Sequence, residues 1–386
     1  MAFLRVSSLD AGGRSWLPGW LGGSAGVGLR DIELMLDEGS ICTVFGAAGA
    51  GKSMLLRVLA GLVPLKRGQI VLDGVDITRL SMLERRVALV PATPVVYPGL
   101  SVYENLAFPL RRLKAPEEQV KRKVTETASL LGLLDCLNWQ AGLLSPSTAQ
   151  RVALGRVLTR DDLGLLLLDD AMEVLDDEAR WRVVGCLRQL QRSRRLCIVI
   201  STLGQPDVMG LGDEWVMLDG GRILQQGRPS EFLQYPRQLA VARRLGGHNL
   251  NVVPARSDQG ISRFGGLPLM LPVPPQLDLW LSELQGQFPA GRIELAIRAE
   301  HVALGRPGQE GCIEVELARI EDHGTWMRLH TFLPETDVSI TAQVPVETAH
   351  AYDLAAMAYA PAAGRRLALQ IVNRHSLFFV DGRLIQ

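Results

Sequence analysis

Eight residues constrain this chain more than any others. Gly46-Ala47-Ala48-Gly49-Ala50-Gly51-Lys52-Ser53 fits the pattern GxxxxGK[ST]. It comes after a short apolar, β-rich run, Ile41–Phe45, and opens a stretch, Lys52–Gly61, whose apolar residues recur at helical spacing and whose last residue suits a helix stop. A strand, a glycine turn and a helix in that order make a cradle for phosphate. Glycines let backbone N–H groups wrap an anion with no Cβ in the way. The helix N-terminus adds the positive end of its dipole. In such a cradle Lys52 reaches the β- and γ-phosphates of a nucleotide and the Ser53 hydroxyl completes a Mg²⁺ shell. A plain glycine turn is the competing reading in a chain with 39 Gly. The complete motif in its strand-to-helix setting outweighs it.

A second motif belongs with the first. Leu165-Leu166-Leu167-Leu168 reads as a buried strand and ends in Asp169-Asp170. Asp169 is placed to hold the water shell of the metal. Around these motifs strands and helices alternate. Gly68–Asp76, Arg86–Val90, Leu196–Ser201 and Glu214–Leu218 read as strands, and 115–135, Ala149–Arg160 and Glu178–Arg192 as helices. This is an α/β domain on a largely parallel sheet, assigned to residues 1–235. Residues 236–255 read as a linker, helix-like up to Gly246-Gly247. Residues 256–386 carry short alternating runs such as Ile293–Arg298 (IELAIR) and Ser339–Val344 (SITAQV), punctuated by Pro and Gly, the pattern of a small all-β, OB-like barrel.

Composition narrows the function classes. The 386 residues suggest two domains. Lys+Arg and Asp+Glu are both 41, so bulk charge gives no reason to expect a nucleic-acid partner. No stretch approaches the roughly 18 apolar residues of a membrane span, and the start, MAFLRVSSLD, lacks a secretory h-region. The five Cys are scattered and form no CxxC pair, which speaks against a disulfide framework or zinc site and for the cytoplasm. All six His lie at position 248 or later. They show no metal-like spacing and read as structural or surface groups.

With both motifs in place, the chain resembles the ATP-binding subunits of ABC transporters, and within them the carbohydrate-importer class of the maltose and glycerol-phosphate importers. Further stretches carry the resemblance: Gly68–Gly74 (GQIVLDG), Tyr97–Leu110 (YPGLSVYENLAFPL), Gln150–Arg156, Asp213–Arg222 (DEWVMLDGGR), Gly227–Pro229, Ile297–His301 (IRAEH) and Phe379–Arg383. The resemblance implies a P-loop ATPase domain followed by a regulatory β-domain. It implies ATP and Mg²⁺ as cofactors, with Gly46, Gly49, Ala50, Gly51, Lys52, Ser53 and Met54 around the phosphates and Ser53 and Asp169 on the metal. It also implies a peripheral place on the cytoplasmic face of the inner membrane, two permease subunits, and indirectly a solute-binding protein. Residues 93–110 keep the pattern found near the groove that receives the permease.

Against the family pattern, the catalytic positions are altered. The Q-loop Gln falls at Ala92, the catalytic Glu at Asp170 and the switch His at Leu203, and the first 247 residues hold no His to replace it. An alanine or leucine side chain cannot sense metal or water. Asp is a base but one methylene shorter, and a misplaced base forfeits about 10²–10⁴-fold. The signature LSGGQ reads Leu144-Ser145-Pro146-Ser147-Thr148, which keeps Ser145 as helix N-cap and hydroxyl donor to a nucleotide, while Pro146 removes an N–H and Ser147 puts a side chain where glycine gave room. Ground-state binding groups persist while those acting on the attacking water are lost. The resulting expectation is an ATP-binding subunit with no intact catalytic residue, paired with a second, active ATPase. Two alternatives stay open: a homodimeric ATPase with Asp170 as base, and a nucleotide-sensing regulator without a permease. Trp16 and Trp20 are candidates to stack on adenine, and Arg192, Arg194 and Arg195 read as a solvated helix end.

Overall fold

The computed structural model describes residues 3–12, 27–81, 84–204, 206–258, 261–265, 267–268, 275–307, 309, 311–334, 336–354 and 365–385. The chain divides into two compact units, Met1–Glu231 and Phe232–Gln386.

The first unit is built in chain order from β1 (Leu4–Ala11), β2 (Leu29–Leu36), β3 (Ile41–Phe45), α1 (Lys52–Leu59), β4 (Leu65–Leu72), β5 (Val75–Asp76), β6 (Val87–Pro91), α2 (Val102–Arg112), α3 (Glu117–Leu131), α4 (Pro146–Leu158), β7 (Leu165–Asp169), α5 (Asp177–Arg194), β8 (Cys197–Thr202), α6 (Pro206–Met209), β9 (Glu214–Asp219) and β10 (Arg222–Gly227), with α7 (Pro229–Gln234) next in the chain. One sheet has the order β10-β9-β3-β8-β7-β6. Five consecutive strands, β9-β3-β8-β7-β6, are parallel, and the edge strand β10 is antiparallel. The expected parallel sheet is therefore present. Strands β3, β7 and β8 are buried along their whole length, as the unbroken apolar runs ICTVF, LLLLD and CIVIST require.

A second, antiparallel sheet has the order β2-β1-β4-β5. Its central strand β1 is missing from the sequence-based elements. The reason is local: the pairing register shifts between Val6 and Leu9 and again before Ala11, and Ser8 takes a positive φ of 48°. That bulge breaks the two-residue alternation by which a half-buried strand is read.

Helices α2 to α5 share one core with Val120, Val152, Leu187 and the β7 residues Leu166 and Leu168. Helix α4 sits so close to its neighbours that a Cβ on Gly155 would fall 2.6 Å from Leu106 and 3.0 Å from Leu131. Helix α2, also absent from the predicted elements, begins in a capping box formed by Ser101 and Glu104 and contains Pro109. Arg192, Arg194 and Arg195 are exposed at the end of α5, and the Arg194 guanidinium also donates to the Leu158 and Arg160 carbonyls at the close of α4, at 3.1 and 3.3 Å.

The second unit contains α8 (Leu239–Gly246), β11 (Leu250–Asp258), β12 (Ile261–Phe264), β13 (Leu267–Pro268), α9 (Pro275–Gln287), β14 (Ile293–Arg298), β15 (Ala303–Gly305), β16 (Cys312–Asp322), β17 (Trp326–Phe332), β18 (Ser339–Pro345), α10 (Val346–Ala351), β19 (Arg365–Gln370), β20 (Leu377–Val380) and β21 (Arg383–Ile385). All pairings in its two sheets, β13-β12-β11-β14-β20-β21 and β15-β19-β16-β17-β18, are antiparallel. One core joins them through Val253, Leu295, Val315, Leu329 and Leu369. The Asn251 amide bridges the sheets, donating to Thr341 O at 2.8 Å and accepting from Thr341 N at 2.7 Å. Residues 236–255, expected as a linker, instead carry α8 and the first part of β11, and β11 pairs along its length with β12 and β14. The apolar face of α8, with Leu239, Val241 and Ala242, is buried. Among the described residues no helix is long and apolar enough to cross a membrane.

Arg85, only 3% exposed, ties the far end of α1 to the turn before β6. Its guanidinium donates to Val58 O (2.9 Å), Leu59 O (3.1 Å), Thr78 O (2.9 Å) and Leu80 O (2.8 Å). Arg85→Ala removes four charge-assisted bonds at once. It should lower stability by about 2–4 kcal/mol in urea denaturation. Arg85→Lys should recover little of this, because an ammonium cannot fill the fork geometry.

Candidate functional site

The site lies at the carboxyl ends of β3, β7 and β8, where parallel α/β sheets bind ligands. Register places these ends together: Phe45 stands opposite Thr202, and Leu168 opposite Ile200. The segments at the three strand ends are therefore collected in one place: Gly46–Ser53 after β3, Asp169 and Asp170 at the end of β7, and Ser201 to Leu203 at the end of β8.

The loop after β3 has the geometry of an anion cradle. Gly46 has φ 156°, and a Cβ there would fall 2.2 Å from Leu218 O. Gly51, at φ 109°, precedes α1, which has no side-chain cap and no acidic residue in its first turn. A helix start without such groups suits an anionic ligand. Lys52 is buried, and its Nζ donates to Gly46 O (3.1 Å) and Ala47 O (3.2 Å), which curls the ammonium back over the loop. Ala50 is buried beneath the loop. Met54 packs its side chain against the core beneath the antiparallel sheet, so any part it plays at a ligand falls to its backbone.

Asp169 is buried, and the Ser53 hydroxyl favours the charged form of its carboxylate. Burial pushes the Asp169 carboxyl above its usual range; the neighbouring Asp170 charge pushes the same way, and the bonds from Ser53 and Ser201 work against them. Ser53 and Asp169 thus offer a hydroxyl and a carboxyl, oxygen donors suited to a hard divalent cation and its waters. The cradle and this pair fit a nucleoside polyphosphate with Mg²⁺.

The substituted positions behave differently. Asp170 adopts the left-handed backbone region, φ 50°. Its N–H donates to Ser201 Oγ at 2.8 Å, and that hydroxyl lies 2.9 Å from Asp170 Oδ1 and 3.1 Å from Asp169 Oδ1. One hydroxyl proton serves both carboxylates. Ser201 is fully buried and clasps the backbone and side chain of Asp170 together. Leu203 is half exposed at the site, and Ala92 is exposed in the turn after β6. Gln150 of α4 is buried, and its Nε2 donates to Pro91 O (2.9 Å) and Ala171 O (3.2 Å). It joins the residue before Ala92 to the residue after Asp170.

The altered signature forms a second cluster. Ser145 is the N-cap of α4, accepting from Thr148 N at 3.2 Å, with Pro146 in the first helical position. Ser147 donates to Asp176 Oδ2 at 2.6 Å. Asp176 in turn caps α5 by accepting from Ala179 N at 2.9 Å. The Ser147 hydroxyl and the Ala179 N–H hold the Asp176 carboxyl below its usual range. Sequence reasoning missed Ser201, Gln150 and the Ser147–Asp176 bond, because each acts across 21 or more positions. A serine amid the apolar run of β8 was the one visible signal. Trp16 and Trp20 lie outside the described residues.

Comparison with known proteins agrees with this geometry. The ABC transporter family matches residues 29–173. The chain is 31% identical over 326 residues, 84% of each chain, to the sn-glycerol-3-phosphate import ATP-binding protein UgpC of Chromohalobacter salexigens. It is 30% identical over 306 residues to the maltose/maltodextrin import ATP-binding protein MalK of Yersinia pestis, covering 79% of this chain and 81% of the relative. The structure of cbiO1 from Clostridium perfringens, part of an ABC transporter complex, shares the fold over 60% of this chain and 90% of its own, with a TM-score of 0.51 at 23% identity. The chain belongs to the ABC transporter family of import ATP-binding proteins.

Two measurements test the buried polar cluster. Ser201→Ala leaves the Asp170 N–H without its acceptor and should cost about 1–3 kcal/mol in urea denaturation. Asp169, raised in the folded state, binds a proton there that the unfolded chain has already released. Its contribution therefore favours folding at low pH and fades as pH rises from the ordinary carboxylate value through the folded one. Asp169→Asn should remove that segment of the stability–pH curve and leave the remainder in place.

Proposed function

We propose that this chain is the ATP-binding subunit of an importer for a sugar, polyol or glycerol-type solute, and that its own site holds Mg-ATP with little hydrolysis. The observation that carries this reading is the engagement of Asp170 by Ser201. The carboxylate at the position of a general base is held back to its own strand end, while Ala92 and Leu203 offer no polar side-chain atom to water. The binding groups stand intact beside it. The amides of Gly46 to Ser53 take up the polyphosphate, Lys52 leaves the loop carbonyls for the terminal phosphates, and Ser53 and Asp169 hold Mg²⁺. When bound, the cation supplies charge neutralisation of the phosphate oxygens. Ground-state affinity is thus retained and activation of water is not.

Docking to the membrane is supported by a groove of about 650 Å³ between β6, α2 and α4, lined by Val95, Pro109, Leu113, Ala153 and Arg156. Arg156 stacks on Tyr97 at 4.9 Å, and its Nη1 is buried with no hydrogen-bond partner among the described residues. A cytoplasmic segment of a permease subunit bearing a carboxylate or a free carbonyl would satisfy it. In this reading the chain lies peripherally on the cytoplasmic face of the inner membrane, under two permease subunits supplied by a solute-binding protein. A second, catalytically intact ATPase subunit completes the pair.

The purified chain should bind Mg-ATP, weakened at least about tenfold by Lys52→Ala in calorimetry. It should turn over far more slowly than an intact relative, by the roughly 10²–10⁴-fold that a general base supplies. Rapid hydrolysis that disappears in Asp170→Asn would instead establish Asp170 as the working base of a homodimer. Native mass spectrometry of the complex from membranes, tagged on this chain, should find one copy beside one different ATPase. Two copies and no other ATPase would refute the pairing.

A further inference from the structure

The second unit contains a cleft of about 1050 Å³ that the phosphate loop and its neighbours do not use. Its size suits a small organic ligand. One wall is cationic. The His301 and His375 rings stack at 4.0 Å between centroids with 12° between planes. Arg298 and Arg374 line the same cleft, and both act on His301 through their charge. One carboxylate opposes them, Glu300, 3.9 Å from His301 Nε2. Among the described residues, neither Arg298 nor Arg374 has a carboxylate within ion-pair distance. Another wall is aromatic: Trp280 of α9 meets Phe378 of β20 edge to face, centroids 4.9 Å apart.

The cationic wall is built rather than accidental. Asn373 donates through Nδ2 to His301 O (2.9 Å) and accepts from His375 N (2.9 Å), fastening together the two turns that carry the imidazoles. Ser376 closes its turn by donating to Ile371 O and accepting from Asn373 N, both at 2.8 Å. Arg374 Nε donates to His375 Nε2 at 3.1 Å, which ties its guanidinium to the stacked rings. Partial burial and then the His375 charge hold His301 below the usual imidazole range. The fixed charge at this end therefore comes from the two guanidiniums, and the imidazoles add hydrogen bonds. Two guanidiniums facing one carboxylate, with imidazoles able to donate, suit a dianionic phosphate better than a monoanion. The indole and phenyl faces beside them suit a flat or ring-shaped body.

We propose that this cleft is a second small-molecule site, taking a phosphate monoester carried on a ring. The phosphate lies against Arg298, Arg374 and the stacked histidines, and the ring packs on Trp280 and Phe378.

The histidine content of the chain supplies the test. All six His lie at position 248 or later, so ¹³C-histidine spectra of the full chain contain no signal from the first unit. Signals are assigned with His301→Asn and His375→Asn, and phenyl phosphate is the probe. Saturable shifts of the His301 and His375 signals are expected, with Kd below about 1 mM and little change at His350. Arg298→Gln and Arg374→Gln should each weaken binding at least about tenfold while the unaffected histidine signals stay in place and report an intact fold. Inorganic phosphate and phenol, each carrying half of the recognition, should bind about tenfold or more weakly. The shifts should persist in Lys52→Ala. No shift at His301 and His375 up to about 10 mM probe overturns the proposal. So do binding unchanged in both arginine variants, inorganic phosphate binding as tightly as phenyl phosphate, and shifts that vanish in Lys52→Ala.

Discussion

The nucleotide site depends on one alignment, the parallel register of β3, β8 and β7. Each strand is an apolar run buried from end to end, and each stops at the same level of the sheet. Segments far apart in sequence are thereby brought to a common edge. A one-residue slip in any of them would move every side chain to the opposite face, which the cores packed on both faces oppose. The glycine loop, the Asp pair and the Ser201 clasp are consequences of where these strands end.

At that edge two kinds of group have parted ways. The glycine loop with Lys52, Ser53 and Asp169 has the geometry of a cradle for an anion and a cation. Beside it Ala92 and Leu203 are apolar, and Asp170 is engaged with Ser201. The hydroxyl of Ser201 also eases the contact between two adjacent carboxylates, one of them buried, by sharing its proton with both. The signature region shows the same pattern. Ser145 spends its oxygen on capping α4, and Ser147 spends its proton on Asp176. Hydroxyls that could face a nucleotide are satisfied within the chain. This organisation ties the strand ends and the starts of α4 and α5 together.

The second unit shows how polar groups acquire meaning from packing. Its six histidines carry no pattern along the sequence, yet two of them stack because Asn373 joins a turn after β14 to a turn before β20. Asn251 does related work between the two sheets, where an amide satisfies both backbone groups of Thr341.

Much of the fold was legible in the sequence because its signals are local. GxxxxGKS between an apolar run and a helical repeat, four leucines before Asp169, and the change from strand–helix alternation to short alternating strands each fit within a window of a few residues. That Ala92, Asp170 and Leu203 stand where the family pattern expects Gln, Glu and His could likewise be read one position at a time. Strand β1 was hidden because a bulge at Ser8 erases its alternation, and the 236–255 segment was misplaced because only sheet pairing shows that β11 belongs to the second unit. The sequence by itself determined which chemical groups the chain possesses: a phosphate cradle, a buried carboxylate at a strand end, and no histidine before position 248. Tertiary structure alone decided what those groups touch. That Ser201 holds Asp170, that Gln150 joins Pro91 to Ala171, and that Arg298, Arg374 and two histidines face an aromatic wall all rest on contacts between residues distant in sequence. Such contacts are fixed by packing in three dimensions, and no short-range pattern encodes them.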